Sequence, residues 1–326
     1  MEELFKEVDK QRNIKKVTLD NYKRNLKTMY KGVEGDKEFN VNFLNNFNKV
    51  KKYLETLLPS VKKTRIAVIL VILRLNEKKN KKLINKYTEY LGEVKKKYDA
   101  MINENKKNAK QSDNWVAYKK LVKVFNNYVR EVKEERLNKV GKKVLTNKEK
   151  DLLNKYLVAG LYILHPAIRL DYAGMKIISD KAYNKLSEDD LDNNNYLVIQ
   201  GRNNKKFHFG KNTYKTGKKY GHKIKPVEKK LNQVLNVWLK HNGDKEYLLN
   251  GIRGKPLTRN GLTKFIMKVF TPSGSKKISS NMIRHILISE NEDMQKLQEL
   301  KKKAEKLADD MHHSTEQQQS TYYKDK

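Results

Sequence analysis

A mainly helical chain, with one small antiparallel sheet confined to its C-terminal part, is the fold class this sequence predicts. Three observations predict it. Apolar residues recur at three- and four-residue spacing through most of the 326 residues, the period of a helix with one buried face. Short β-prone runs at 175–178, 196–199 and 206–209 stand between Asp, Asn and Gly turn residues, as strands do. A polar, aperiodic stretch from about 101 to 115 separates an all-helical first part from the part that holds the strands.

The elements follow in order. Residues 1–16 form an N-terminal extension, and a helical domain occupies 17–110. Thr18-Leu19-Asp20 opens a helix whose Tyr22, Leu26 and Tyr30 share one face. Phe43, Phe47, Val50 and Leu54 continue the pattern until Leu58-Pro59 interrupts it. The run from Ile66 to Leu73 is apolar on every side, bounded by Arg65 and Arg74, and suits a buried central helix. Leu83, Tyr87, Leu91, Val94 and Tyr98 stripe one further, highly charged helix. A second domain spans 111–326. It opens with a helix marked by Leu121, Phe125 and Tyr128, and a capping box, Thr146 with Glu149, precedes the helix that stops near His165-Pro166. After the strands, helical periodicity returns around Leu231 and Trp238, around Leu262 and Ile266, and around Ile283 and Ile286. A lysine-rich helix runs from Asp293 to about Asp309, and Ser314 with Gln317 caps a short last helix carrying Tyr322.

Charge narrows the partners. With 72 Lys plus Arg against 38 Asp plus Glu, the formal net charge is +34, and a polyanion is the expected partner. No apolar run approaches the roughly 20 residues of a membrane-spanning helix, so double-stranded DNA is favoured over a lipid surface. Cysteine is absent, which removes disulfides, thiolate metal sites and cysteine nucleophiles together. The seven histidines are scattered without metal-binding spacing, and neither a metal nor another cofactor is expected. The N-terminus lacks a secretory signal pattern, so an intracellular location is expected.

One chemistry unites the remaining signals. Cleaving a phosphodiester with a protein hydroxyl requires an in-line nucleophile, cations on the non-bridging oxygens and an acid for the leaving oxygen. Two guanidiniums suit the phosphate because each presents a planar donor fork. Arg169 follows an apolar helix in Ile168-Arg169-Leu170-Asp171-Tyr172, Lys215 lies in Asn212-Thr213-Tyr214-Lys215-Thr216-Gly217, and Arg284 lies in Asn281-Met282-Ile283-Arg284-His285. His313 precedes Tyr322 by nine residues.

In this order the segments resemble those of the tyrosine recombinases, the phage-type integrases, and most of all the integrases of virophages and related eukaryotic-virus elements. The 162–172 segment resembles the family's first arginine box, and 212–218 the hairpin presenting its lysine. Residues 281–285 resemble the His-x-x-Arg box, and 311–314 the Gly-His-Ser segment before the tyrosine. The resemblance covers about 17–326. It implies that Arg169 and Arg284 grip the scissile phosphate and that Lys215 is general acid to the 5′ oxygen. It further implies that His313 donates to a phosphate oxygen and that Tyr322 forms a 3′-phosphotyrosine. The 17–110 domain would be the core-binding domain and 111–326 the catalytic domain, closing on DNA as a C-shaped clamp. A homotetramer on paired sites is implied, with monomer or dimer off DNA, working in a host nucleus or viral factory if the source is a eukaryotic virus.

Each residue has a plainer reading beside this one. Arg169 could cap its helix or pair with Asp171, Lys215 could be one of several solvated lysines, and Tyr323 competes with Tyr322. Arg284, among Met282, Ile283 and Ile286, would be costly to bury unpaired. Nine residues of unbroken helix span about 13.5 Å, so His313 must stand outside the last helix if both groups serve one phosphate. Asn281 departs from the family's histidine; its amide donates a hydrogen bond but carries no charge. Few residues follow the tyrosines, so either assembly uses a surface other than a docking tail or a C-terminal tail is missing from this sequence. The alternatives are a type IB topoisomerase-like enzyme and a catalytically impaired DNA-binding protein.

Overall fold

The computed structural model describes residues 1–139, 144–242, 245–251, 254–271 and 276–322, leaving aside the side chain of Gln319. Tyr323 lies outside the described residues. The chain divides into two compact units, Met1–Lys107 and Asn108–Lys326.

The first unit is helical: α1 (Glu2–Arg12), α2 (Lys16–Glu34), α3 (Phe47–Glu55), α4 (Pro59–Leu73) and α5 (Glu77–Asn103). Helix α4 is the centre. Its Ile66, Val68 and Ile69 are completely buried, and each such side chain contributes roughly 1.5–3 kcal/mol on leaving water. Pro59 occupies its first turn, where the missing N–H costs nothing, so the expected break starts a helix as well as ending one. Residues 1–16 are more than the extension expected from sequence, because α1 inserts Phe5 and Val8 into this core. The Tyr87 hydroxyl donates to the Leu44 carbonyl at 3.0 Å, tying α5 to the turn before α3. Two helices also occupy the expected linker at 101–115, since α5 runs to Asn103 and α6 covers Ala109–Asn114.

The second unit surrounds a second core. Its helices α7 (Tyr118–Glu134) and α8 (Asn147–Ile163) precede strand β1 (Lys176–Ser179), then α9 (Asp180–Tyr183), α10 (Glu188–Asn193), β2 (Asn195–Ile199) and β3 (Lys205–Phe209). There follow α11 (Gly217–Tyr220), β4 (Lys223–Pro226), α12 (Lys229–Asn242), α13 (Arg259–Phe270), α14 (Ser280–Ser289), α15 (Glu292–Asp310) and α16 (Thr315–Gln317). The Thr146–Glu149 capping box forms reciprocally at the start of α8. Buried polar bonds fasten the helices to one another. Tyr128 donates to the Val269 carbonyl at 2.9 Å, joining α7 to α13, and Trp238 Nε1 donates to Asn154 at 3.1 Å, joining α12 to α8.

The sheet is four-stranded in the order β1-β2-β3-β4, and it corrects the expectation of an antiparallel sheet. β1 and β2 pair in parallel, with Ile177 opposite Leu197, whereas β2–β3 and β3–β4 are antiparallel. Parallel neighbours need a crossover, and α9 with α10 supplies it. Alternation along β2 then covers both faces. Leu197 joins the main core with Phe207, while Tyr196 and Val198 pack with Tyr183 in a smaller cluster beneath the crossover. Strand β4, absent from the sequence reading, is an edge strand that is mostly exposed. No described helix is long and apolar enough to cross a membrane.

Candidate phosphate-binding site

The segment between α8 and β1 carries Arg169 and is held from beneath. The Tyr162 hydroxyl donates to the Arg169 carbonyl at 2.5 Å, and the Tyr172 hydroxyl bonds His165 Nδ1 at 2.9 Å. Tyr162, Tyr172, His165 and Phe207 meet edge to face, an arrangement favoured by the ring quadrupoles. Gly174, with φ of 72°, takes the left-handed turn that leads into β1, where a Cβ would be strained. The backbone is thereby fixed while the Arg169 side chain stays exposed.

Arg284 and Asn281 lie one turn apart on α14, so they share a face. Met282, Ile283 and Ile286 are buried on the other side. Arg284 is half-buried and Asn281 exposed. The charges of both arginines act on Asp171. Its side chain is only 12% exposed. Burial pushes its pKa up, and the charges of Arg259, Arg169 and Arg284 all pull against that rise. Arg259 Nη2 forms the ion pair, 2.7 Å from Asp171 Oδ1. Among the described residues no carboxylate forms an ion pair with Arg169 or Arg284. Two guanidiniums from distant parts of the chain therefore act on one locality without being consumed there.

The lysine loop is tied to the same place. Asn195, first residue of β2, donates from Nδ2 to the Asp171 carbonyl at 2.7 Å. Its Oδ1 accepts from the Thr213 hydroxyl at 2.6 Å and from the Gly210 N–H at 3.1 Å. Arg259 Nη2 also donates to the Thr213 carbonyl at 2.6 Å. Lys215 is two residues further on, within about 7 Å of Thr213 along the backbone. The loop folds tightly, because a Cβ at Gly217 would stand 1.8 Å from the Lys211 carbonyl oxygen. Its other lysines differ in their engagements: Lys211 pairs with Asp192 at 2.5 Å, and the ammonium groups of Lys219 and Lys223 lie over Tyr220. Lys215 and Lys218 are exposed, with no such partner among the described residues.

At the C-terminal end, His312 adopts a left-handed conformation with φ of 57° and ends α15. Ser314 Oγ accepts from the Gln317 N–H at 3.1 Å and starts α16, leaving His313 outside the helix. The chain continues as a π-helical turn over Gln318–Tyr322. His313 and Tyr322 consequently stack, with ring centroids 5.2 Å apart and planes at 24°. Tyr322 is 58% exposed. His313 Nδ1 lies 3.3 Å from the Ser314 carbonyl, and its buried Nε2 has no hydrogen-bond partner. With the proton on Nδ1, that Nε2 accepts and does not donate. Among the described residues no hydrogen bond or ion pair joins His313 or Tyr322 to Arg169, Lys215 or Arg284. Arg169 and Arg284 are thus linked to Asp171 by charge, the Lys215 loop is linked to it by hydrogen bonds, and His313 stacks on Tyr322.

Sequence reasoning missed Arg259 and Asn195. Arg259 had one available signal: a cation in the first turn of a helix, just after the Thr258 cap, opposes the helix dipole. Among the described residues no group of three His, Asp or Glu is placed to hold a metal ion. No family model, curated protein or solved structure matches this chain.

Proposed function

We propose that this chain is a site-specific DNA recombinase that cuts and rejoins strands through a 3′-phosphotyrosine. The observation that carries the reading is the convergence of Arg169 and Arg284 on Asp171, with the Lys215 loop bound to that same residue through Asn195 and Arg259. Two exposed or half-exposed guanidiniums beside a lysine suit a phosphodiester whose oxygens gain charge during attack. In this reading the Tyr322 hydroxyl gives up its proton to solvent as its oxygen bonds to phosphorus, the bond to the 5′ oxygen breaks, and Lys215 protonates that oxygen. Asn281 and His313 donate to the phosphate oxygens. The phosphotyrosine conserves the energy of the broken bond, so religation needs no ATP. In this reading the helical first unit is a core-binding domain that contacts the duplex, and four copies act on paired sites.

His313 stacks on Tyr322, with no hydrogen bond from either to Arg169, Lys215 or Arg284 among the described residues, so the reading requires both to meet the phosphate that the arginines hold. The same observation, with Asn281 in place of a histidine, favours a second reading: a DNA-binding protein that holds phosphates without cleaving them. Nicked suicide duplexes covering random sequence separate the two. The recombinase forms a covalent adduct without metal or ATP, and Tyr322→Phe abolishes it. Loss of DNA affinity with salt, but no adduct from the wild-type chain on any duplex, selects the binding protein. An adduct that survives Tyr322→Phe removes Tyr322 as the nucleophile.

A further inference from the structure

We propose that Arg259 is a positioning residue: by occupying Asp171 it keeps Arg169 and Arg284 available to a phosphate, and it holds the Lys215 loop beside them. The inference rests on the phosphate-binding reading of this site and adds a residue to it. Three observations carry it. First, Arg259 opens α13 directly after the Thr258 cap, where the positive end of the helix dipole disfavours a cation. Its local position is unfavourable, so its tertiary contacts must account for it. Second, one nitrogen, Nη2, reaches both Asp171 Oδ1 at 2.7 Å and the Thr213 carbonyl at 2.6 Å. A single guanidinium thereby links the first arginine segment, the lysine loop and the start of α13.

Third, Asp171 is a buried carboxylate with two further guanidiniums acting on it. A carboxylate left unpaired in that setting takes the nearest cation. Arg169, two residues away, and Arg284 are the available ones. Without Arg259 one of them turns inward onto Asp171, and the phosphate loses a ligand. The buried acid is therefore a competitor for the two arginines, and Arg259 is what satisfies it.

This makes a prediction that a purely structural role does not share: removing the acid as well should restore what removing Arg259 destroys. The full-length chain is compared as wild type, Arg259→Ala, Arg259→Gln, and Arg259→Ala combined with Asp171→Asn. Binding to a linear duplex is followed against salt, and adduct formation on nicked duplex is timed. Arg259→Ala is expected to slow the adduct at least tenfold and to flatten the salt slope by about one, the loss of one phosphate contact. Arg259→Gln, which keeps a donor for Thr213 but no charge for Asp171, should flatten the slope equally. The double variant should regain most of the salt slope and part of the adduct rate, because the bond to Thr213 stays lost. Arg259→Ala with Glu299→Gln, which restores the same net charge on the exposed face of α15, should regain neither.

A double variant no better than Arg259→Ala overturns the proposal and makes Arg259 either a direct phosphate ligand or a fold brace. Wild-type values for Arg259→Ala overturn it as well. If the wild-type chain forms no adduct, recombination fails as the function, and the salt slopes alone decide the role of Arg259.

Discussion

His165 shows how one buried side chain makes this protein sensitive to pH. It is 5% exposed, and burial pushes its pKa down to about 4, helped by the nearby Lys225 charge. The folded imidazole is therefore neutral where an unfolded one, with a pKa near 6.5, begins to protonate. The unfolded state binds the extra proton, so the associated stability is fully present above pH 6.5 and is lost as pH falls toward 4. The loss is on the order of 3 kcal/mol. Both tryptophans, Trp115 and Trp238, lie in the second unit, so their fluorescence reports its unfolding alone. Urea midpoints should fall between pH 6.5 and 4 in the wild type and fall distinctly less in His165→Asn. Parallel declines in the two proteins would show that His165 is not the titrating group. The ring also braces the segment that carries Asp171, because its Nδ1 pairs with the Tyr172 hydroxyl.

Single elements differ sharply in what they contribute. Helix α8 buries Leu153, Leu157, Val158 and Leu161, whereas the more amphipathic α15 buries Ala308 alone and leaves Leu300 61% exposed. Leu157→Ala should cost about 2–5 kcal/mol in urea unfolding followed by tryptophan fluorescence. Leu300→Ser should change the same midpoint by less than about 0.5 kcal/mol; a loss comparable to Leu157→Ala would mean that α15 belongs to the core. Local signals were legible at this scale. The Thr146–Glu149 box, the Ser314 cap and the apolar run of α4 all act over three or four residues and form where the sequence indicates. Strand pairing was not legible. β1 and β2 are parallel because a crossover returns the chain in the same direction, and no residue in either strand encodes that direction. Strand β4, a four-residue Lys-Ile-Lys-Pro run of which only Lys225 is partly buried, lacks a buried apolar face and was invisible to periodicity.

At the scale of the molecule the two units have separate cores, one built on α4 and one on α8. Residues 108–326 expressed alone should therefore fold, with the tryptophan emission and urea midpoint of the full chain. Red-shifted emission from a solvated Trp238 would show that the second core needs the first unit.

The sequence by itself determined the chemistry available: a strongly cationic surface, a run of helices with their caps, and the individual arginines, lysine, histidine and tyrosine. Those properties are intrinsic to side chains or depend on neighbours one turn away. Tertiary structure alone decided which of them meet. It set Arg169 and Arg284 around Asp171, enlisted Arg259 from the start of α13, fastened the Lys215 loop through Asn195, and turned Tyr322 back onto His313. Apart from the nine-residue return of Tyr322 onto His313, such meetings join segments far apart in the chain, and they are set by how buried faces pack, which no local spacing records.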